Sequence, residues 1–271
     1  MAVGGSRGRN GGPIVNDYSI NSLNNKHVVI SGGGSGVGEQ LAVEFTRSGA
    51  KVSILGRRQG PLETVAAATG ALPIVCDVTD ASSVATAMQS ARSQHGPVSI
   101  SIANAGSAIS KPFASTTASE FSSMMDVNAL GVFNLWQSCL ADMRELKWGR
   151  LLAIASSAGL KGYPYVAGYC AAKHAVVGLT RALSLELART GITVNAVCPG
   201  FVDTPMLDDS IKNIVATTGK SADEAASLLK ANNPMNRFIT TEEVSSAVVW
   251  LASECSGSIN GQAVSVNGGE L

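Results

Sequence analysis

A chain of 271 residues with 45% hydrophobic side chains suits one α/β domain with a sizeable core better than two small domains. Lysine plus arginine number 20 and aspartate plus glutamate 20, and this zero net charge gives neither nucleic acid nor an anionic membrane a reason to bind. No apolar run approaches a bilayer span, the 5 cysteines are scattered, and His27, His95 and His174 lack metal-ligand spacing, so a cytoplasmic protein with reduced thiols and no metal is expected.

Residues 1–24 are rich in Gly, Asn and Ser and have no apolar signal core, and they read as a flexible arm before a single domain at 25–271. The first apolar run, 27–30, ends in Ser31-Gly32-Gly33-Gly34-Ser35-Gly36-Val37-Gly38. A helical pattern through Leu41, Val43 and Phe45 closes at Gly49, and a second strand is expected at 51–55. The alternation continues with a helix at 61–69, a strand at 72–76, a helix at 81–94 and a strand at 98–103. A helical segment at 120–146 precedes a strand at 150–155. The helix bearing Tyr169 leads to a strand at 193–197, and a helix at 242–253 leads to a last strand at 262–266.

This pattern predicts a Rossmann-type, doubly wound parallel β-sheet flanked by helices, with right-handed crossovers and a ligand crevice at the carboxyl ends of the strands. Between Pro199 and Thr241 no strand is expected, only apolar-spaced segments near 207–215 and 222–229. A long connection after a strand's carboxyl end suits a helical substrate lid, here about 203–237, with a variable surface insertion as the alternative.

Chemistry concentrates on Tyr169 and Lys173, four residues apart and hence on one helix face. A phenol titrates near ~10 and is a poor acid or base at neutrality. A neighbouring ammonium favours the phenolate and is expected to pull that pKa down. Ser156, just past the run 151–155, offers a hydroxyl to a substrate oxygen. A surface tyrosine and lysine on an ordinary helix would explain the spacing alone; the rest of the chain favours catalysis.

Gly32, Gly36 and Gly38, with Ser35 and Val37 among them, form a G-x-x-x-G-x-G run between a strand and a helix. Such a run lets the backbone approach a pyrophosphate while the helix presents its N-terminal amides. At the end of the second strand, where a ribose-binding carboxylate would stand, the chain has Gly56, Arg57 and Arg58. Two guanidiniums without a carboxylate favour a 2′-phosphate, hence NADP(H) preferred with NAD(H) possible.

These residues, in order, resemble the short-chain dehydrogenase/reductase family from about Leu23 to the C-terminus. The resemblance implies a cofactor loop at Ser31-Gly32 with Gly36 and Gly38, and an adenine contact at Asp77-Val78. It matches Asn104-Ala105-Gly106 to the motif after the fourth strand, with Ala103 replacing that motif's first Asn. It further implies a catalytic tetrad of Asn128, Ser156, Tyr169 and Lys173, and a nicotinamide contact at Pro199, Gly200, Val202 and Thr204. The reaction implied is hydride transfer between nicotinamide and a carbonyl or secondary alcohol. Ser156 would hold the oxygen, Tyr169 deliver the proton, Lys173 hold the ribose hydroxyls and Asn128 carry a relay water.

The run 185–205 is particularly similar to polyketide ketoreductases and 3-oxoacyl-thioester reductases. Ser107, Leu160, Tyr163, Met206 and Leu207 are the expected substrate lining, a mostly apolar pocket. Lys212, Lys220 and Lys230 either meet the phosphates of a coenzyme A or carrier-protein arm or are solvated lid charges. The leading expectation is a 3-oxoacyl/3-hydroxyacyl thioester substrate. The alternatives are a free cyclic or aromatic ketone or alcohol, and a catalytically silent NADP-binding subunit. The resemblance also implies a homotetramer, with Ala171, Ala175, Gly178 and Ala182 permitting close helix approach.

Overall fold

The runs of Val, Ile, Leu and Ala that are too short for helices form seven strands in one sheet. These are β1 (His27–Ser31), β2 (Lys51–Gly56), β3 (Leu72–Val75), β4 (Ile100–Ala103), β5 (Gly149–Ile154), β6 (Ile192–Pro199) and β7 (Ala263–Val266). The computed structural model describes residues 23–271. Most of the expected arm, 1–22, lies outside the described residues. All pairings are parallel and the order is β3-β2-β1-β4-β5-β6-β7, so strand order reverses between β1 and β4.

The side chains show why the sheet is covered on both faces. Val29, Leu151, Ala153, Val194 and Ala196 pack into one buried cluster, while Val28, Ile30, Leu152, Ile154 and Val197 pack into another. That is the period of two expected of strands, with apolar residues at both phases. Helices α1 (Gly36–Arg47) and α2 (Gln59–Thr69) cover the second face, joined by a late helix, Thr241–Ala252. The first face is covered by α3 (Ala81–His95) together with Gly131–Leu146 and Ala167–Leu187. Leu23 is fully buried in the second cluster and Asn25 N–H donates to Gly49 O at 2.9 Å, so the packed domain includes Leu23, a residue that the sequence pattern assigns to the arm.

The segment expected as one helix at 120–146 is broken. It consists of α4 (Ala118–Met125), a π-helical turn at Asp126–Leu130 and α5 (Gly131–Leu146). Wide turns of this kind recur at functional sites, and Asn128 sits in this one. Helix α6 (Ala167–Leu187) carries Tyr169 and Lys173. The two lid segments are helical, α7 (Pro205–Thr218) and α8 (Ala222–Lys230), followed by α9 (Thr241–Ala252). Pro205 stands in the first turn of α7, where its missing N–H is no loss. Ser221 and Glu224 cap α8 reciprocally, which fixes where the second lid helix begins. Among the described residues no helix is long and apolar enough to cross a membrane. Cys76, Cys139, Cys170 and Cys198 are buried free thiols and Cys255 is an exposed one.

Candidate active site

A cavity of about 1000 Å³ opens at the carboxyl ends of β1, β4, β5 and β6, the crevice that the strand-order reversal creates. Ser156, Tyr169, Lys173 and Asn128 all line it. Ser156 follows β5, with an extended backbone at φ −179° and ψ 159°. Its Oγ accepts from Ala158 N–H at 3.1 Å, which leaves the hydroxyl proton free to donate elsewhere. Tyr169 and Lys173 occupy the first two turns of α6, and Lys173 Nζ lies 5.5 Å from the Tyr169 ring centroid. The lysine is buried and donates to Ile154 O at 2.8 Å, which anchors it to the end of β5.

Burial governs both groups. It pushes the Tyr169 phenol up to about 12, with the Ser156 hydroxyl pulling the other way. It pushes the Lys173 ammonium down to about 8. The sequence expectation of a tyrosine pKa lowered by its lysine is therefore corrected: loss of hydration dominates, and what opposes it is the Ser156 hydroxyl. Tyr169 is protonated at neutral pH and is an acid in waiting, while Lys173 titrates close to the working range.

Asn128 is fully buried, and its side chain is committed to the backbone. Its Nδ2 donates to Ser107 O at 2.9 Å and Met124 O at 3.0 Å, and its Oδ1 accepts from Ser107 N–H at 3.3 Å. The amide thus ties the strand β4 exit to the π-helical turn and shapes the wall beside Lys173.

The other half of the cavity fits a dinucleotide. Ser35 caps α1 without a side-chain hydrogen bond, so the first-turn amides keep their donors for an anion. Gly36 has φ +57°, the left-handed region, and a Cβ there would come within 3.1 Å of Thr204 Cγ2. Arg57 and Arg58 line the cavity and, among the described residues, make no salt bridge. Thr79 donates to Asp77 Oδ1 through its N–H at 3.0 Å and its hydroxyl at 2.8 Å. Those bonds hold the Asp77 carboxyl below its ordinary range, with Arg57 adding to the effect.

A family model described as short chain dehydrogenase matches residues 26–214. The chain belongs to the short-chain dehydrogenase/reductase family. It is an NAD(P)-dependent oxidoreductase that interconverts carbonyl and secondary hydroxyl groups of small molecules or thioesters. It is 31% identical to the 3-oxoacyl-acyl-carrier-protein reductase MabA of Mycobacterium avium over 256 residues, covering 93% of this chain and 92% of that protein. The crystal structure of levodione reductase superposes with a TM-score of 0.88 at 33% identity, covering 92% of this chain and 98% of that one. A variant of actinorhodin polyketide ketoreductase solved with NADPH gives 0.87 at 32% identity, covering 90% and 97%.

Within this family site, most of the residues expected from sequence line one cavity. Gly32, Ser35, Val37, Val78, Asn104, Ala105 and Gly106 line its floor, and Pro199, Gly200, Val202 and Thr204 its far wall. Tyr163, Met206 and Leu207 also line it. Three expected residues do not. Gly38 lies beneath the loop, against Gly32 O and Asn104. Ser107 is turned toward Asn128 through its backbone, and Leu160 packs on the hydrophobic core, so neither faces the substrate half.

Asn104 Nδ2 donates to Ser31 O at 3.0 Å and Gly32 O at 3.1 Å, and Ser31 Oγ accepts from the N–H groups of Asn104 and Ala105 at 3.0 and 3.1 Å. Ser31, which the sequence places at the start of the glycine loop, thus builds the site through its hydroxyl. The lid contributes Ser210, Asn213, Ile214, Thr217, Leu228 and Asn232, which carry no motif and become visible only once α7 and α8 close over the cavity.

Proposed function

We propose that the protein is an NADPH-preferring reductase of 3-oxoacyl thioesters. The observation that carries this reading is the character of the cavity beyond Tyr169. Under the lid it is lined by Ser210, Asn213, Thr217 and Asn232 among apolar Ile214 and Leu228. A row of hydroxyl and amide groups on an apolar floor suits a pantetheine arm, which is a neutral chain carrying two amides. The similarity to a 3-oxoacyl-acyl-carrier-protein reductase points the same way.

In this reading Ser156 donates its free proton to the substrate carbonyl and holds it toward Tyr169. Tyr169 transfers its proton to the developing alkoxide, and Lys173 stabilises the phenolate left behind. The bound nicotinamide supplies or accepts the hydride. Gly32, Ser35, Gly36 and Val37 would hold the pyrophosphate, and Asp77 and Val78 the adenine. Asn104, Ala105 and Gly106 would flank the ribose, with Pro199, Gly200, Val202 and Thr204 at the carboxamide. Arg57 and Arg58, which make no salt bridge among the described residues, would hold the 2′-phosphate.

A second reading, reduction of a compact free ketone, has its own support. Lys111, which lines the cavity wall away from the dinucleotide half, is paired with Glu120 at 2.8 Å. Lys212, Lys220 and Lys230 are not on that wall, and Lys212 faces Asp209 at 3.4 Å. The levodione reductase likeness agrees with this alternative.

Turnover of acetoacetyl-coenzyme A against a panel of cyclic ketones, each with NADPH and NADH, separates the two. The expected result is thioester turnover with an NADPH preference of roughly tenfold or more, lost in Arg57→Ala/Arg58→Ala, the scale of one charged hydrogen bond. Turnover confined to cyclic ketones removes the thioester reading, and equal use of NADH removes the role of the two arginines.

Assembly into a homotetramer is supported by Phe121, Leu130, Phe133 and Leu185, large apolar side chains left exposed on or beside α4, α5 and α6. Sedimentation velocity that returns a monomer at micromolar concentration removes that part. A cytoplasmic location fits five unpaired thiols, and fractionation that places the chain elsewhere would count against it.

A further inference from the structure

The segment after β7 turns back into the active site. Glu270, whose side chain is 2% exposed, lies where three donors from the loop after Ser156 converge. Tyr163 donates its hydroxyl to Glu270 Oε1, and Lys161 Nζ lies 2.9 Å from the same oxygen. The Ser157 hydroxyl is shared between Glu270 Oε2 at 3.3 Å and Pro199 O at 3.0 Å. Ser157 directly follows the catalytic serine, and Pro199 opens the loop at the far wall. Gly200 N–H donates to Val266 O at 3.1 Å, so that loop is held by the same terminal segment.

The cluster has a consequence for the substrate. Tyr163 lines the cavity, yet its hydroxyl is turned away into the carboxylate. Its ring is further held edge-to-face on Phe201, 6.2 Å between centroids, with Lys161 Nζ 4.9 Å from the ring centre. The substrate therefore meets an aromatic surface at Tyr163 rather than a hydroxyl. A buried carboxylate is stable here because several donors, one of them charged, replace its lost water; removing it frees those donors and the loops they belong to.

We propose that Glu270 is a positioning residue for carbonyl reduction. Its carboxylate latches the loop carrying Ser156 and Tyr163 to the loop beginning at Pro199, and so sets the wall against which the carbonyl is oriented. The proposal rests on the reading of this cavity as a carbonyl-reducing site.

Glu270→Ala, Glu270→Gln, Tyr163→Phe and the double variant Glu270→Ala/Tyr163→Phe test it, each read for kcat/KM, enantiomeric ratio of the alcohol, NADPH affinity and hydrogen exchange. Glu270→Ala is expected to lower kcat/KM about tenfold or more and erode the enantiomeric ratio, with NADPH affinity held within about threefold. Exchange should quicken in 157–166. Glu270→Gln, which keeps acceptor capacity but not the charge, should fall between, and adding Tyr163→Phe to Glu270→Ala should cost little more.

Unchanged exchange, a kcat/KM within about twofold of the parent, or fully additive costs of the two substitutions would each overturn the latch. If Glu270→Ala does not fold, Glu270→Gln and Tyr163→Phe carry the same comparisons. If the parent enzyme reduces no carbonyl, the proposed function falls; the exchange data then judge the latch alone, with quickened exchange in 157–166 keeping it and unchanged exchange removing it.

Discussion

Tyr169→Phe is expected to lower kcat for carbonyl reduction roughly 10³-fold or more while leaving NADPH affinity nearly unchanged, the upper range of what one acid–base group contributes. The phenol lines the cavity on the first turn of α6 beside Ser156, and its hydroxyl is the proton donor nearest to hand. Phenylalanine keeps the ring and its packing and deletes only that proton. The pH dependence gives the same residue pair a second signature. Burial holds Tyr169 at about 12 and Lys173 at about 8. Tyr169 is thus already protonated throughout the working range, and the group that changes charge is the lysine.

Below pH 8 the Lys173 ammonium stabilises the phenolate formed as the proton leaves; above it that help is lost. Reduction should therefore be level at lower pH and fall as pH rises through about 8, an apparent value belonging to the pair. Lys173→Met should abolish the fall and leave a low, flat profile. Stopped-flow or steady-state rates across pH 6–10, with NADPH fluorescence titration beside them, check both results. Loss of NADPH binding in Tyr169→Phe to the same extent as turnover would make the tyrosine a structural residue, and a parent rate that rises through pH 8 would reverse the assignment of acid and base.

The parts of this protein legible in its sequence are those written in local periodicity or in motifs. Ile30, Leu152 and Val197 announce strands because a short apolar run is a local signal, and both sheet faces are covered because apolar residues occupy both phases. The glycine loop, Ser156 and the Tyr169–Lys173 pair were readable for the same reason: their spacing is short and their chemistry specific. The π-helical turn at Asp126–Leu130 was not, because no residue type marks a wide turn and the apolar residues on either side each read as ordinary helix.

Burial decided two further points that residue type could not. The spacing of Tyr169 and Lys173 predicts that they stand side by side, as they do, but the sign of the phenol's shift depends on how much water the fold removes, which no spacing encodes. Leu160 comes shortly after Ser156 and Ser107 directly after Gly106, yet one packs on the core and the other presents its backbone to Asn128. Glu270 and Tyr163 are 107 positions apart, and only the closure of the sheet at β7 brings them together.

Gly38→Ala is expected to weaken NADPH binding roughly 10–100-fold, the equivalent of the about 1–3 kcal/mol that forced overpacking costs. The position does not face the cavity, so the effect must pass through the loop. A Cβ on residue 38 would stand 2.1 Å from Gly32 O and 2.6 Å from Asn104 Nδ2. The first is backbone and cannot swing aside. The second is the amide that clamps Ser31 O and Gly32 O, and so joins the end of β1 to the Asn104 segment.

One methyl group at 38 therefore lifts the turn, loosens that clamp and misplaces the α1 amides on which the pyrophosphate would rest. Gly60→Ala is the matched control: that glycine lies within α2 and a Cβ there meets nothing within 4 Å. It should leave NADPH affinity unchanged and stability nearly so, because the helix preference of alanine is opposed by Pro61, which disfavours helical backbone in a preceding residue that carries a Cβ. NADPH titration and thermal melts of both variants give the comparison. Equal affinities in Gly38→Ala and the parent would mean that the loop tolerates displacement, and the close approach of α1 to β1 would then have no part in cofactor binding.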